Sequence, residues 1–303
     1  MTTLDSIHRG PGLMTSAGKY RDFLRTLPKG VPAVARAIAG VQVHEHLAPL
    51  LYKLSVPDER KRESHIRRLD HMLAAMHARD PRPLAVARAP EQRAVGVCRH
   101  FTVLFIAALR EQGIPARARV GFGSWFNPPQ YEDHWLCEYW NEKQQRWVLA
   151  DAQLDDTQRK AMNLDFDTLD VPRDKFVCAH AAWTRCRDGE IDPKRFGFSP
   201  AGLTGLWFIA SNLIRDAAAL NGAEMLPWDV WGGMPKANAE LSADELAFFD
   251  RIAQLTAAPD KHADELQKLY ATDARIRPAS TVWNDLKQTN ENIAEPPAGV
   301  RLE

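Results

Sequence analysis

Cys98, His134 and Asp151 are the residues of this chain whose types and settings combine into chemistry. The cysteine stands in Gly96-Val97-Cys98-Arg99-His100-Phe101 and the histidine in Asp133-His134-Trp135-Leu136-Cys137-Glu138-Tyr139-Trp140. The aspartate closes the run Trp147-Val148-Leu149-Ala150-Asp151. A thiolate becomes a working nucleophile when an imidazole takes its proton and a carboxylate orients the imidazole. Secondary structure must then bring the three together.

Phe101, Leu104, Phe105, Ala108 and Leu109 recur at three and four positions, which predicts a helix from about Cys98 to Gln112. Gly113 and Pro115 stop it. Cys98 falls in the first turn, where unpaired N–H groups and the helix dipole favour negative charge. Arg99 and His100 are expected to add positive charge there and lower the thiol pKa. The competing role for Cys98 is packing, as a small apolar residue at the end of the stripe it shares with Phe101 and Phe105.

Residues 134 to 140 and 147 to 153 read as strands rich in Trp, Tyr, Val and Leu, with Asn141 to Arg146 as the hairpin loop. If Trp140 opposes Trp147, Leu136 lies opposite Asp151. His134 is then the diagonal neighbour of Asp151 on the same face, about 7 to 8 Å away between backbones. A slip of one residue would put the two side chains on opposite faces. Cys137, by alternation, points away from the His134 face and belongs to the core.

These pieces together resemble the transglutaminase-like superfamily: Gly-Val-Cys-Arg leading into an apolar helix, Gly-Ile-Pro-Ala-Arg at 113 to 117, a strand with His134, and Trp-Val-Leu-Ala-Asp at 147 to 151. The resemblance covers roughly residues 90 to 155. It implies an α+β, papain-like core in which a helix carrying the cysteine packs on an antiparallel sheet carrying the histidine and aspartate. It also implies a Cys-His-Asp triad with Cys98 as nucleophile, His134 as general base and then acid, and Asp151 as orienter. Many members place an acidic residue two positions after the nucleophile, where this chain has His100. Some use an upstream tryptophan as oxyanion donor, whereas every tryptophan here lies at position 125 or later. Gln92, six residues before Cys98, is placed as papain-like proteases place their oxyanion glutamine, and is a candidate to join the Cys98 N–H.

Trp228, Asp229 and Trp231 form a further candidate, since tryptophans beside a carboxylate can line a substrate cleft. No metal site is expected. His44-Glu45-His46 points in divergent directions on a helix, Cys178 and Cys186 around His180 match no finger spacing, and Asp165 to Asp170 lacks the glycine and glutamate of a calcium loop. Gly121-Phe122-Gly123-Ser124 lacks a nucleotide-loop lysine. No cofactor is implied by cysteine chemistry.

The chain has 303 residues, 45% of them hydrophobic, which is enough for one substantial core with extensions. Lys plus Arg and Asp plus Glu number 39 each, so no net field draws nucleic acid or an acidic membrane surface. No secretory leader or membrane span is read. The four cysteines at 98, 137, 178 and 186 lack a disulfide pattern, so free thiols and a cytoplasmic location are expected.

The organisation expected is an N-terminal helical extension over 1–80, a catalytic core over 81–235, and C-terminal helices with an irregular tail over 236–303. Helices are expected around 17 to 27, 31 to 53, 58 to 79, 155 to 165, 201 to 220, 242 to 256 and 260 to 271, with an irregular course from Arg275. The first dozen residues read as a loose lead-in. The function expected is cysteine-nucleophile acyl transfer or hydrolysis of a peptide, amide, ester or thioester through an acyl-enzyme. The alternative is a non-catalytic binding or scaffold protein that keeps the same fold.

Overall fold

The computed structural model describes residues 7–302. Along the chain, α1 (Val31–Val41) leads into β1 (Gln42–His44), followed by α2 (Leu69–Arg79), β2 (Ala94–Gly96) and α3 (Cys98–Glu111). Then come β3 (Ala116–Gly123), β4 (Tyr131–Asn141), β5 (Arg146–Ala150), β6 (Phe176–Cys178) and α4 (Ala179–Arg187). The chain continues through β7 (Phe196–Phe198), β8 (Leu203–Thr204), α5 (Leu206–Leu220) and β9 (Asp229–Val230). It closes with α6 (Ala243–Ala257), α7 (Ala263–Thr272), β10 (Thr281–Asn284) and β11 (Thr289–Asn292). The main sheet runs β6-β3-β4-β7-β8, with β5 beside β4.

Two compact units interleave along the chain instead of following one another. Among the described residues, one comprises His8–Ala118, Leu136–Val171 and 293–302, and the other comprises Ile7, Arg119–Trp135 and Pro172–Asn292.

In the first unit, α3 occupies the interior. Every residue from Cys98 to Arg110 is buried, so the apolar stripe read from the sequence is only one side of a helix surrounded on all sides. Its polar residues are accommodated by bonding: Arg110 donates to the carbonyls of Ala116 (2.8 Å) and Gly10 (3.1 Å) and to Thr15 Oγ1 (3.1 Å). Gly113 ends the helix with φ +79°, a left-handed conformation that costs a glycine nothing. Those bonds, and the burial of His8, tie down residues that the sequence suggested were loose.

The β4–β5 hairpin has the expected register, with Trp140 opposite Trp147 and Cys137 opposite Ala150. The two indoles meet edge to face at 5.7 Å. The helix expected over 31 to 53 stops at Val41, because Gln42–His44 pairs in parallel with Ala94–Gly96. The helix expected over 58 to 79 breaks into Asp58–Lys61, a 3₁₀ turn over Arg62–His65, and α2. His44 and His46 consequently lie at a strand end and a turn.

In the second unit, α4, α5 and α6 pack on one another, and α5 is clasped by a buried ion pair to β3. Arg119 meets Asp216 through Nε–Oδ1 (3.1 Å) and Nη2–Oδ2 (2.9 Å), and Asp216 Oδ1 also accepts the Val120 N–H at 2.8 Å. The tail is not irregular from Arg275. Strands β10 and β11 form an antiparallel hairpin that adds to β9 as a three-stranded sheet.

Candidate active site

Cys98 is the first residue of α3, reached through β2. The pairing of β2 with β1, and the bond from Glu45 N–H to the Gly96 carbonyl (2.8 Å), fix that approach. Glu63 Oε2 accepts the Val95 N–H at 2.9 Å. Burial pushes the Glu63 carboxyl up, against the opposing pull of Arg60 and the Val95 N–H. Cys98 itself is 6% exposed, and Thr102 Oγ1 donates to its carbonyl at 3.1 Å.

His100 departs from expectation. The Val97 N–H donates to its Nδ1 at 3.2 Å, and Nε2 lies 3.0 Å from the Ile66 carbonyl, which defines a neutral ring with its proton on Nε2. Burial, reinforced by Arg99, pushes this imidazole well below the usual histidine range. His100 therefore brings no positive charge to Cys98; it caps α3. Arg99 is fully buried, with Nη1 3.4 Å from the same Ile66 carbonyl. Gly96 makes room for the ring, since a Cβ there would stand 2.8 Å from His100 Cβ.

His134, on β4, is 1% exposed and walled by aromatic rings. Phe126 lies 4.8 Å away between centroids, Trp125 5.5 Å and Phe176 6.3 Å, each presenting an edge-to-face contact. Trp125 and Phe126 come from the segment between β3 and β4. Asp133, the preceding residue, accepts from Asn212 Nδ2 at 2.7 Å, and Arg215 Nη1 donates to Asn212 Oδ1 at 3.1 Å. Desolvation pushes the Asp133 carboxyl up, partly offset by Arg215 and Asn212. These partners come from α5, so no spacing in the sequence announces them.

Asp151 is the residue after β5, where the chain leaves the ladder: its N–H donates to the Thr168 carbonyl at 2.7 Å. Asp151 is 4% exposed, and its Oδ1 accepts the Gln153 N–H at 2.8 Å, an Asx-type turn that sets the side chain.

The remaining candidates fall elsewhere. Gln92 ends an exposed 3₁₀ turn, Pro90–Gln92, and lines a small cavity with Val41, Met76, Arg79 and Arg88. Asp229 is wholly buried, its Oδ2 accepting the Leu226 N–H at 3.0 Å while its carbonyl accepts from Arg215 Nη2 at 3.2 Å. Trp231 is buried and donates from Nε1 to the Ile276 carbonyl at 2.8 Å. Asp229 and Trp231 thus pin the small sheet from within, in place of the cleft lining expected of them with Trp228, which is half-buried.

All four cysteines are free thiols. Burial pushes the Cys137 thiol up strongly and the Cys186 thiol up to about 12. Among the described residues no cluster of three or more His, Cys, Asp or Glu is placed to hold a metal ion, and no helix is long and apolar enough to cross a membrane.

A helix headed by a cysteine, followed by a sheet whose adjacent strands lead to a histidine and an aspartate, defines a papain-like α+β protein. Residues 60–152, which contain Cys98, His134 and Asp151, match the model of the transglutaminase-like superfamily, and this stretch is a transglutaminase-like domain. A proposed cysteine protease from Cytophaga hutchinsonii is similar in structure, with a TM-score of 0.34 and 17% identity over 59% of this chain and 46% of that one. The chain spans less than half the length of that protein. No curated protein matches the chain.

Proposed function

We propose that this protein is a thiol acyltransferase or hydrolase in which Cys98, His134 and Asp151 form a catalytic triad. The observation that carries this reading is the β4–β5 register. His134 lies on β4, the strand with which β5 pairs, and Asp151 is the first residue beyond the end of β5, which is the order along the hairpin that the triad reading calls for. Cys98 at the head of α3 has the setting that favours a thiolate.

The Cys98 sulfur attacks the carbonyl carbon of an amide, ester or thioester as His134 accepts the thiol proton. The C–S bond forms and the carbonyl electron pair moves to oxygen. The Cys98 backbone N–H steadies that oxygen. Collapse restores the carbonyl and expels the amine, alcohol or thiol, which leaves with the proton from His134. Water or an amine then gives a proton to His134 and takes the acyl group, and Cys98 is regenerated. Asp151 holds the imidazole in the productive tautomer throughout. Free thiols suit a reducing compartment, and we place the protein in the cytoplasm.

Alkylation at neutral pH tests the nucleophile. Iodoacetamide should modify Cys98 well before Cys137, Cys178 and Cys186, because the thiolate is the reacting form. Simultaneous modification of all four, or Cys98 last, would favour a scaffold without turnover.

A further inference from the structure

The loop after Asp151 is connected to the segment entering Cys98 by a chain of hydrogen bonds closed by one ion pair, all of it within one compact unit. It starts at the Gln153 N–H, which holds Asp151 Oδ1 at 2.8 Å. The Gln153 side chain donates from Nε2 to Gln158 Oε1 at 3.1 Å, and Gln158 Nε2 returns a bond to the Gln153 carbonyl at 2.9 Å. Gln158 Nε2 also donates to Tyr52 Oη at 3.1 Å, and the Tyr52 hydroxyl donates to Asp155 Oδ2 at 2.7 Å. Arg93 Nη1 stands 3.6 Å from the same Asp155 oxygen, with its guanidinium 5.6 Å over the Tyr52 ring. Arg93 immediately precedes β2, the strand that delivers Cys98.

Donors and acceptors alternate consistently along this chain, so both glutamine amides have one orientation only. Gln153 and Gln158 are 1% and 2% exposed, which removes water as a substitute partner. Burial and the bond to Asp155 push the Tyr52 hydroxyl up, so it keeps its proton and its role as donor. The acceptor left over is Gln153 Oε1, buried without a hydrogen-bond partner. A surface loop needs no such arrangement, and the helix it adjoins, Asp156–Ala161, is already capped by Asp155 Oδ1 accepting the Gln158 N–H at 2.9 Å.

We propose that Gln153 and Gln158, with Tyr52, are positioning residues that fix the Asp151 carboxylate relative to the strand entering Cys98. The inference rests on the triad reading. These residues do not touch the reacting atoms. They set the direction in which Asp151 presents its carboxylate, and therefore the share of enzyme molecules with a correctly held imidazole.

A double-mutant cycle tests it, with p-nitrophenyl acetate as the acyl donor and kcat, KM and the melting temperature as readouts. Gln158→Leu should lower kcat roughly ten- to hundredfold with little change in KM. Asp151→Asn should lower kcat more. In the Asp151→Asn background, adding Gln158→Leu should have almost no further effect, because its only route to the reaction has been removed. A purely structural role predicts additive losses instead, and additivity overturns the proposal. If Gln158→Leu unfolds the protein, Tyr52→Phe carries the same cycle, since it removes only a half-buried hydroxyl. An unchanged kcat for Gln158→Leu or Tyr52→Phe, beside a lowered one for Asp151→Asn, sinks the positioning role alone. An unchanged kcat for Asp151→Asn sinks the triad reading and the proposal with it.

Discussion

His100 and His134 are both buried histidines on two of the elements that carry the candidate triad, and their surroundings differ. His100 is fixed through its nitrogens to the main chain, Val97 N–H on one side and the Ile66 carbonyl on the other. His134 is flanked edge to face by the rings of Trp125, Phe126 and Phe176. A ring committed to two backbone groups cannot gain a proton without losing the helix cap. Edge-to-face packing against three rings constrains the plane of the His134 imidazole. The histidine nearer the nucleophile in sequence is thus a structural element, and the distant one is the candidate base.

The largest effect that would sharpen this contrast is on turnover. His134→Gln should lower kcat by about 10²- to 10⁴-fold, the usual contribution of a positioned base, while costing only about 1 kcal/mol of stability through lost ring contacts. Equal activity in the variant and the parent, measured on the same acyl donor, would move the base elsewhere.

His100→Asn should show the reverse: about 1 to 2 kcal/mol lost through the weakened cap and the missing bond to Ile66, with turnover changed far less than by His134→Gln. A smaller effect lies in its pH dependence. The native His100 is held below the unfolded value of about 6.5, so the unfolded chain binds more protons below that pH, and stability falls as pH drops through it. His71, also pushed down by burial, adds to the same slope. Urea midpoints at pH 7.5 and 5.5 should differ less in His100→Asn than in the parent; an identical difference would mean that His100 is not the titrating group.

What the sequence disclosed follows the same division between local and long-range forces. The span of α3, its stop at Gly113 and the β4–β5 register are set within a few residues, by periodicity, a left-handed turn and paired tryptophans. The three candidate triad residues were therefore legible. The break at Gln42 was not, because the strand that replaces the helix finds its partner at Ala94–Gly96. Strands β10 and β11 were hidden for two reasons: each is four residues long, too short for alternation to show, and Gln288 at φ +51° turns between them without a glycine. His100 misled because its sequence position suggests a cation, whereas only its burial and bonds reveal a neutral cap. The link from Gln158 to Tyr52 spans 106 positions and exists only in the folded chain.

Intact-mass spectrometry of the wild type and Cys98→Ala, after incubation with an activated ester, a thioester and a glutamine-containing peptide, tests the central claim most directly. The account predicts an added mass of one acyl group on the wild type, mapped to Cys98 and absent from Cys98→Ala. No added mass on the wild type with any donor, or an added mass that persists in Cys98→Ala, would contradict it.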